Sequence, residues 1–126
     1  MTAWRGDELI AVGDADEVQI ASRRPDGTVR PFVTIWVVRV GAEIYVRSAH
    51  GRDNPWFRRA LASGSGRIEA DGVTRDVTFE EPDEDADLDA AIDAAFHAKY
   101  DHYGAALVDP VVSAESARAT LRIVAA

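Results

Sequence analysis

The sequence contains no cysteine, a single lysine and no apolar run long enough to cross a membrane. The lack of cysteine excludes disulfides, thiolate metal ligands and thiol catalysis. The most apolar stretch, residues 32–38, has the length of a strand, whereas a membrane-spanning helix needs about 20 residues. Residues 1–16 lack the basic head and apolar run of an export signal. We therefore expect a cytoplasmic protein that does not contact a membrane.

Charge is distributed unevenly along a chain that is acidic as a whole. The 126 residues carry a formal charge of −8, but residues 23–67 hold nine of the 14 basic residues and only three acids, so this basic window carries +6. An acidic protein tends to avoid nucleic acid, and a local basic region within it indicates a specific small anion. We expect a phosphate- or carboxylate-bearing small molecule, because arginine, which supplies nearly all the basic residues, binds such groups bidentately.

The order of apolar and turn residues predicts one α+β domain over residues 1–126. The apolar run at residues 32–38 predicts a strand buried on both faces, and Asp71-Gly72 predicts a tight hairpin. Strands joined by hairpins form antiparallel sheets, and six of them favour a small barrel with helices packed outside. The predicted helices cover residues 6–15, 54–62, 86–103 and 113–117, and the strands 17–22, 29–40, 43–48, 67–70, 73–79 and 119–124.

The densest basic stretch, residues 47–59, has the composition of a phosphate site. A helix that starts at Pro55 leaves free backbone N–H groups near its first turn, and Arg47, Ser48, Gly51 and Arg52 precede it. These four residues are predicted to bind phosphate. Two alternatives stay open: the arginines form salt bridges within the protein or across a dimer interface, or they are solvated surface. Arg58 and Arg59 either add to the positive field or are solvated as well.

Three further features of the sequence bear on chemistry. Trp56 lies beside the basic stretch, where it either stacks on a planar ligand ring or packs in the core. His50 is the only histidine in the basic loop and the only candidate catalytic acid. The acidic run at residues 80–89 resembles the start of a calcium loop, but Leu88 replaces the required glycine and Ala94 the bidentate glutamate. We expect a solvated loop there and no metal site.

Several phrases of the sequence resemble a bacterial family known as domain of unknown function 2255. The resemblance extends over nearly the whole chain. The phrases that carry it are residues 15–21, 33–40, 44–48 with Gly51-Arg52, 72–79 and 98–100.

A wider resemblance links the order of elements to split β-barrel proteins, namely the pyridoxamine-phosphate-oxidase-like flavoproteins and the deazaflavin-dependent nitroreductases. Ser48, Gly51, Pro55 and Trp56 are similar to the deazaflavin-binding motif, and Arg30 to the arginine upstream of it. This resemblance implies a six-stranded split barrel that forms a homodimer and binds FMN or the deazaflavin F420.

By the same resemblance, the protein is expected to act as a small flavin- or deazaflavin-dependent oxidoreductase. Arg30 and Thr34 are expected to line the site of the cofactor ring, and Trp56 to stack on it. The alternative is a homodimer on the same barrel that binds a small anion without catalysis and without a flavin.

Overall fold

A curled antiparallel sheet of seven strands forms the framework of the protein in the computed structural model, which describes residues 4–126. The α+β class and the antiparallel barrel-like sheet confirm the sequence prediction. In chain order the strands are β1 (Val18–Ser22), β2 (Val33–Ile35), β3 (Val38–Val40), β4 (Glu43–Arg47), β5 (Ser65–Ala70), β6 (Val73–Glu80) and β7 (Thr120–Ala125).

The order of strands across the sheet shows that it curls back on itself. The order is β2-β1-β5-β6-β7-β4-β3, so β2 and β3 form its two opposite edges. Only Trp36 and Val37 connect these edges in the chain. Three Cα–Cα steps of 3.8 Å span at most about 11 Å, so the two edges must lie near each other. The sheet is therefore a barrel that is split between β2 and β3.

The predicted strand at residues 29–40 is wrong as a single element, and this error accounts for six predicted strands instead of seven. The backbone leaves the sheet at Val37, whose N–H donates to the Tyr100 hydroxyl at 3.1 Å. The Val37 carbonyl accepts from the Lys99 ammonium at 2.8 Å. Where the barrel is split, side chains of a helix thus take the place of a neighbouring strand as hydrogen-bond partners of the backbone. The expected burial of both faces is also wrong, since Phe32 and Thr34 are exposed.

Helices surround the barrel. Gly64 ends the helix Pro55–Ser63 in the left-handed conformation, with its N–H donating to the Ala60 carbonyl. The Asp85 side chain caps the helix Ala86–Tyr100 by accepting from two backbone N–H groups. The described residues contain no helix long and apolar enough to span a membrane. The helices are α1 (Gly6–Asp14), α2 (Pro55–Ser63), α3 (Ala86–Tyr100), α4 (Ala105–Val108) and α5 (Ala114–Ala117), with single 3-10 turns at Asp101–Tyr103 and Asp109–Val111.

The two faces of β4 belong to two different apolar clusters. Ile44 and Val46 lie in the larger cluster, with Phe57 of α2. Tyr45 lies in the second cluster, which contains the buried residues of α3. Successive strand residues point to opposite sides, so Arg47 shares the side of Tyr45 and faces α3. This alternation decides the role of Arg47.

Candidate functional site

A large cleft lies between the segment that follows β1 and helix α2. Its volume is about 990 Å³, which is at the upper end of the range for small-molecule sites. Five arginines border it: Arg23, Arg24, Arg30, Arg58 and Arg59. None of the described residues that border it is acidic. The cleft is therefore a concentrated positive site within an acidic protein.

A hairpin brings three of these arginines together. Gly27 has φ +89°, which permits the tight turn. Arg24 N–H donates to the Thr28 carbonyl at 2.8 Å, and Arg30 N–H donates to the Ser22 carbonyl at 2.9 Å. These backbone bonds hold Arg23 and Arg24 on one arm of the hairpin beside Arg30 on the other. The turn at residues 25–28 separates the two arms.

Helix periodicity brings the other two arginines to the cleft. On α2, Pro55 is followed after three, four and seven residues by Arg58, Arg59 and Ala62. This spacing places all four residues on one face of the helix. All four border the cleft. Because α2 starts at Pro55 and Asn54 gives no side-chain cap, the partial positive charge of the first turn adds to that of the arginines.

Most of the cleft arginines have no carboxylate partner. Within residues 4–126, salt bridges engage Arg23 with Asp76 at 2.8 Å but none involves Arg24, Arg30, Arg58 or Arg59. Arg24 contacts only neutral oxygens, at 3.3 Å. Their positive charges are thus available to an anion.

Among the cleft arginines, Arg30 has the clearest need for a further hydrogen-bond acceptor. Its Nε is buried and has no hydrogen-bond acceptor. A buried donor without a partner costs about 1–3 kcal/mol, which an acceptor on a ligand would recover. Asp26, an acid of the same hairpin, does not supply that acceptor. Its carboxylate accepts from the Thr28 N–H and hydroxyl, and these hydrogen bonds lower the pKa of Asp26.

A smaller cavity of about 320 Å³ shares part of the arginine cluster. Arg24, Arg30 and Arg59 border both cavities. The rest of the smaller cavity is mostly apolar and includes two aromatic rings, those of Phe32 and Trp56. A guanidinium cluster beside an apolar chamber with aromatic walls can hold a planar ring that carries an anionic group.

The structure places Arg47 elsewhere than the sequence prediction assumed. Its side chain is fully buried against α3, where it pairs with Asp93 and lies 3.7 Å from the Asp89 carboxylate. It also donates to Thr120 Oγ1 and to the Val111 carbonyl, both at 3.0 Å. These contacts use the guanidinium within the fold, so we do not retain Arg47 as a ligand residue.

In the neighbouring loop, Gly51 and Arg52 make contacts within the fold, whereas the Ser48 hydroxyl makes no hydrogen bond with the described residues. The Ser48 side chain is buried, and its hydroxyl lacks a partner. At Gly51, φ is +77°, which favours glycine, and a Cβ would lie 2.5 Å from Glu115 Oε1, so the Glu115 side chain would have to move. Arg52 pairs with Glu81, which raises the pKa of Arg52, and donates to the Arg118 carbonyl at 2.7 Å. None of these residues borders the arginine cleft.

Of the seven predicted cofactor residues, the structure brings Arg30 to both cavities and Trp56 to the smaller one. Thr34 Oγ1 accepts from the Gln19 amide at 2.7 Å on the exposed side of β2, next to Val33, which borders the smaller cavity. His50 is exposed and does not border either cavity.

The sequence reasoning did not assign Arg23 and Arg24 to the site. Two patterns in the sequence indicate which arginines border the cleft. One is an arginine pair directly before a Pro-Asp-Gly turn, and the other is the spacing of Pro55, Arg58, Arg59 and Ala62 on a helix. Their convergence was not visible, because it depends on how α2 packs beside the hairpin.

Comparison with known proteins adds the family and the fold. The model of the family described as "Uncharacterized protein conserved in bacteria (DUF2255)" matches residues 8–123. None of the curated proteins compared with the chain matches it.

Solved structures with the same fold include a conserved hypothetical protein from Mycobacterium tuberculosis. It is 11% identical, with a TM-score of 0.64, over 98% of this chain and 79% of that one. An F420 reductase is 16% identical, with a TM-score of 0.53 and coverage of 97% and 93%. A FAD-binding protein from Mesorhizobium loti is 18% identical, with a TM-score of 0.53 and coverage of 99% and 92%. At these identities the likeness shows the shared fold.

Proposed function

The chain belongs to the DUF2255 family, and we propose that it binds a flavin-type cofactor, FMN or F420, in the arginine cleft and acts as a small oxidoreductase. The observation that carries this proposal is the cluster of arginines without carboxylate partners, which continues into an apolar chamber with aromatic walls. Two solved structures of the same fold, named as an F420 reductase and a FAD-binding protein, support the class of ligand.

The residues of the cleft fit such a group. Arg24, Arg30 and Arg59 border both cavities and would hold the phosphate next to the ring. The unpaired Arg30 Nε would gain an acceptor. Trp56 and Phe32 would pack against the ring and exclude water from it, because aromatic faces pack well on planar conjugated systems.

The cofactor would supply the redox chemistry, because flavins and deazaflavins transfer hydride to and from organic acceptors. The protein would supply position and positive charge. Arginine stays protonated at any physiological pH, so the cleft would hold the phosphate without itself exchanging protons. None of the described residues bordering the two cavities is Asp, Glu, His, Lys or Tyr, so no side chain there acts as a general acid or base.

The experiment that tests this proposal is retention of visible absorbance after the protein is mixed with FMN or F420 and freed of excess. We expect the native protein to retain one of them. Arg59→Gln should weaken its binding about tenfold, since a charge-assisted hydrogen bond contributes about 1.5–3 kcal/mol and each 1.4 kcal/mol is tenfold. Arg39→Gln is the matched control, because Arg39 is exposed, forms no ion pair with any residue of 4–126 and does not border either cavity.

Two outcomes would contradict the proposal. If the native protein retains neither cofactor, the chain does not bind this class of ligand. If Arg59→Gln and Arg39→Gln retain equal amounts, the cofactor binds elsewhere, and the loop with Ser48, Gly51 and Arg52 becomes the next region to test.

A non-catalytic binding protein for a small anion is the second candidate. The lack of acid and base side chains around both cavities favours it, since binding alone needs none. In that case isothermal titration should detect binding of inorganic phosphate or a small carboxylate, with the same loss in Arg59→Gln, while no colour is retained.

The homodimer implied by the family resemblance is part of the proposal. Sedimentation equilibrium would measure it directly. A monomer at micromolar concentration would contradict it and would require the cleft of a single chain to bind the ligand alone.

A further inference from the structure

The five cleft arginines are distributed unequally between the two cavities, and this distribution bears on the shape of the ligand. Arg24, Arg30 and Arg59 border both cavities, whereas Arg23 and Arg58 border only the larger one. The three shared arginines therefore lie where the two cavities meet, and Arg23 and Arg58 border only the larger cavity. A ligand with a ring in the chamber would meet the first three with its first anionic group.

Arg23 and Arg58, called the outer pair here, would not contact a ligand that ends at one phosphate. Arg58 is exposed and forms no salt bridge within residues 4–126, so it has no role inside the fold that explains its charge. Arg23 differs, because it pairs with Asp76 and donates to the Gly27 carbonyl at 3.0 Å. Of the outer pair, Arg58 is therefore the residue free to bind a second anionic group.

The volumes agree with a longer ligand. The chamber with aromatic walls measures about 320 Å³, whereas the arginine-bordered cleft that continues it measures about 990 Å³. The larger space is the one with more charge, and apart from the arginines it is bordered by small or turn residues such as Gly27, Ala62 and Ser63. It has room for a chain that extends from the ring beyond the three shared arginines.

We propose that the ligand of this cleft carries at least two anionic groups in succession on a chain attached to its ring, and that Arg58 recognises the outer one. This inference rests on the proposed flavin-type function and extends it. A second phosphate, as in the diphosphate of FAD, and the carboxylates of a glutamyl chain, as in F420, share this chemistry. FMN lacks it because its chain ends at one phosphate.

The test compares the dissociation constants of FMN, FAD and F420 for the native protein, Arg58→Gln and the control Arg39→Gln, measured by fluorescence titration. We expect Arg58→Gln to weaken the longer ligand about fivefold and FMN less than twofold. Arg58 is exposed, and an exposed ion pair contributes little to binding, so we expect an effect no larger than this. Which of FAD or F420 loses affinity identifies the outer group as phosphate or carboxylate.

The same data separate failure of this inference from failure of the proposed function. If FMN binds as tightly as the longer ligands and Arg58→Gln leaves all three unchanged, the second anionic group is refuted while flavin binding stands. A uniform loss for all three ligands also refutes it, because Arg58 would then contact the first phosphate. If no ligand binds the native protein, both proposals are overturned.

Discussion

Arg47→Met separates a structural role of this arginine from the ligand role that the sequence suggested. Methionine retains an unbranched stem, although a shorter one than that of arginine, and removes every donor. The buried Val111 carbonyl and Thr120 Oγ1, each 3.0 Å from the guanidinium, lose the hydrogen bond from Arg47, although Thr120 Oγ1 still donates to the Ala117 carbonyl. Asp89 and Asp93 lose their cation but remain 43% and 37% exposed, so water can solvate them.

The expected loss of stability follows from these contacts. The guanidinium is the buried member of these ion pairs, so its removal leaves no charge buried, and the cost comes from its lost hydrogen bonds. Those to the buried Val111 carbonyl and Thr120 Oγ1, together with the charge-assisted one to Asp93, contribute about 3 kcal/mol in all. An unfolding entropy of about 2.1 cal/mol/K per residue gives roughly 0.26 kcal/mol/K for 126 residues. The melting temperature should therefore fall by about 11 °C.

The assay pairs thermal unfolding with cofactor binding below the transition. Arg59→Met is the matched control, because it is the same replacement at an exposed arginine without an ion pair. We expect Arg47→Met to lose stability and retain binding, and Arg59→Met to retain stability and lose binding. The reverse pattern, with an unchanged melting temperature and lost binding in Arg47→Met, would refute the structural assignment of Arg47.

Two further predictions concern the fold. Gly66→Ala should prevent stable folding, because a Cβ there would lie 2.0 Å from the Ala21 carbonyl oxygen in the neighbouring strand. Gly6→Ala is the control and should remain folded, because a Cβ at Gly6 would have no atom within 4 Å. Soluble yield and circular dichroism distinguish the two variants. Burial raises the pKa of Tyr100, so its contribution to stability is complete below its unfolded pKa of about 10 and is lost as pH rises above that value. Urea unfolding from pH 9 to 11 should show this decline, and a shallower decline in Tyr100→Phe; equal slopes would contradict it.

The elements that sequence reasoning predicted correctly are those determined by local chemistry. Asp71 and Gly72 have φ of 45° and 82°, and they form the predicted hairpin. Asp85 caps the predicted third helix, although that helix ends at Tyr100 and continues only as a 3-10 turn. Such features depend on a few adjacent residues, so the sequence alone suffices to predict them.

The elements that it predicted wrongly depend on distant partners. Nothing within residues 32–38 indicates that Tyr100 and Lys99 take over the hydrogen bonds of Val37 and split the strand. The alternation of Ile44, Tyr45, Val46 and Arg47 was visible, but the face that carries a ligand site cannot be chosen until α3 is known to cover the face of Tyr45.

The basic window shows that a charged stretch of sequence predicts an anion site only through those arginines that have no carboxylate partner within the protein. Acids from outside the window pair with four of its nine arginines: Asp76 with Arg23 and Arg67, Glu81 with Arg52, and Asp89 and Asp93 with Arg47. Glu81 and Asp89 belong to the acidic run that was expected only to be solvated. Of the five arginines left, all except Arg39 border the same cleft. The sum of charge along the sequence indicated an anion site, but only tertiary pairing shows which arginines remain free to form it.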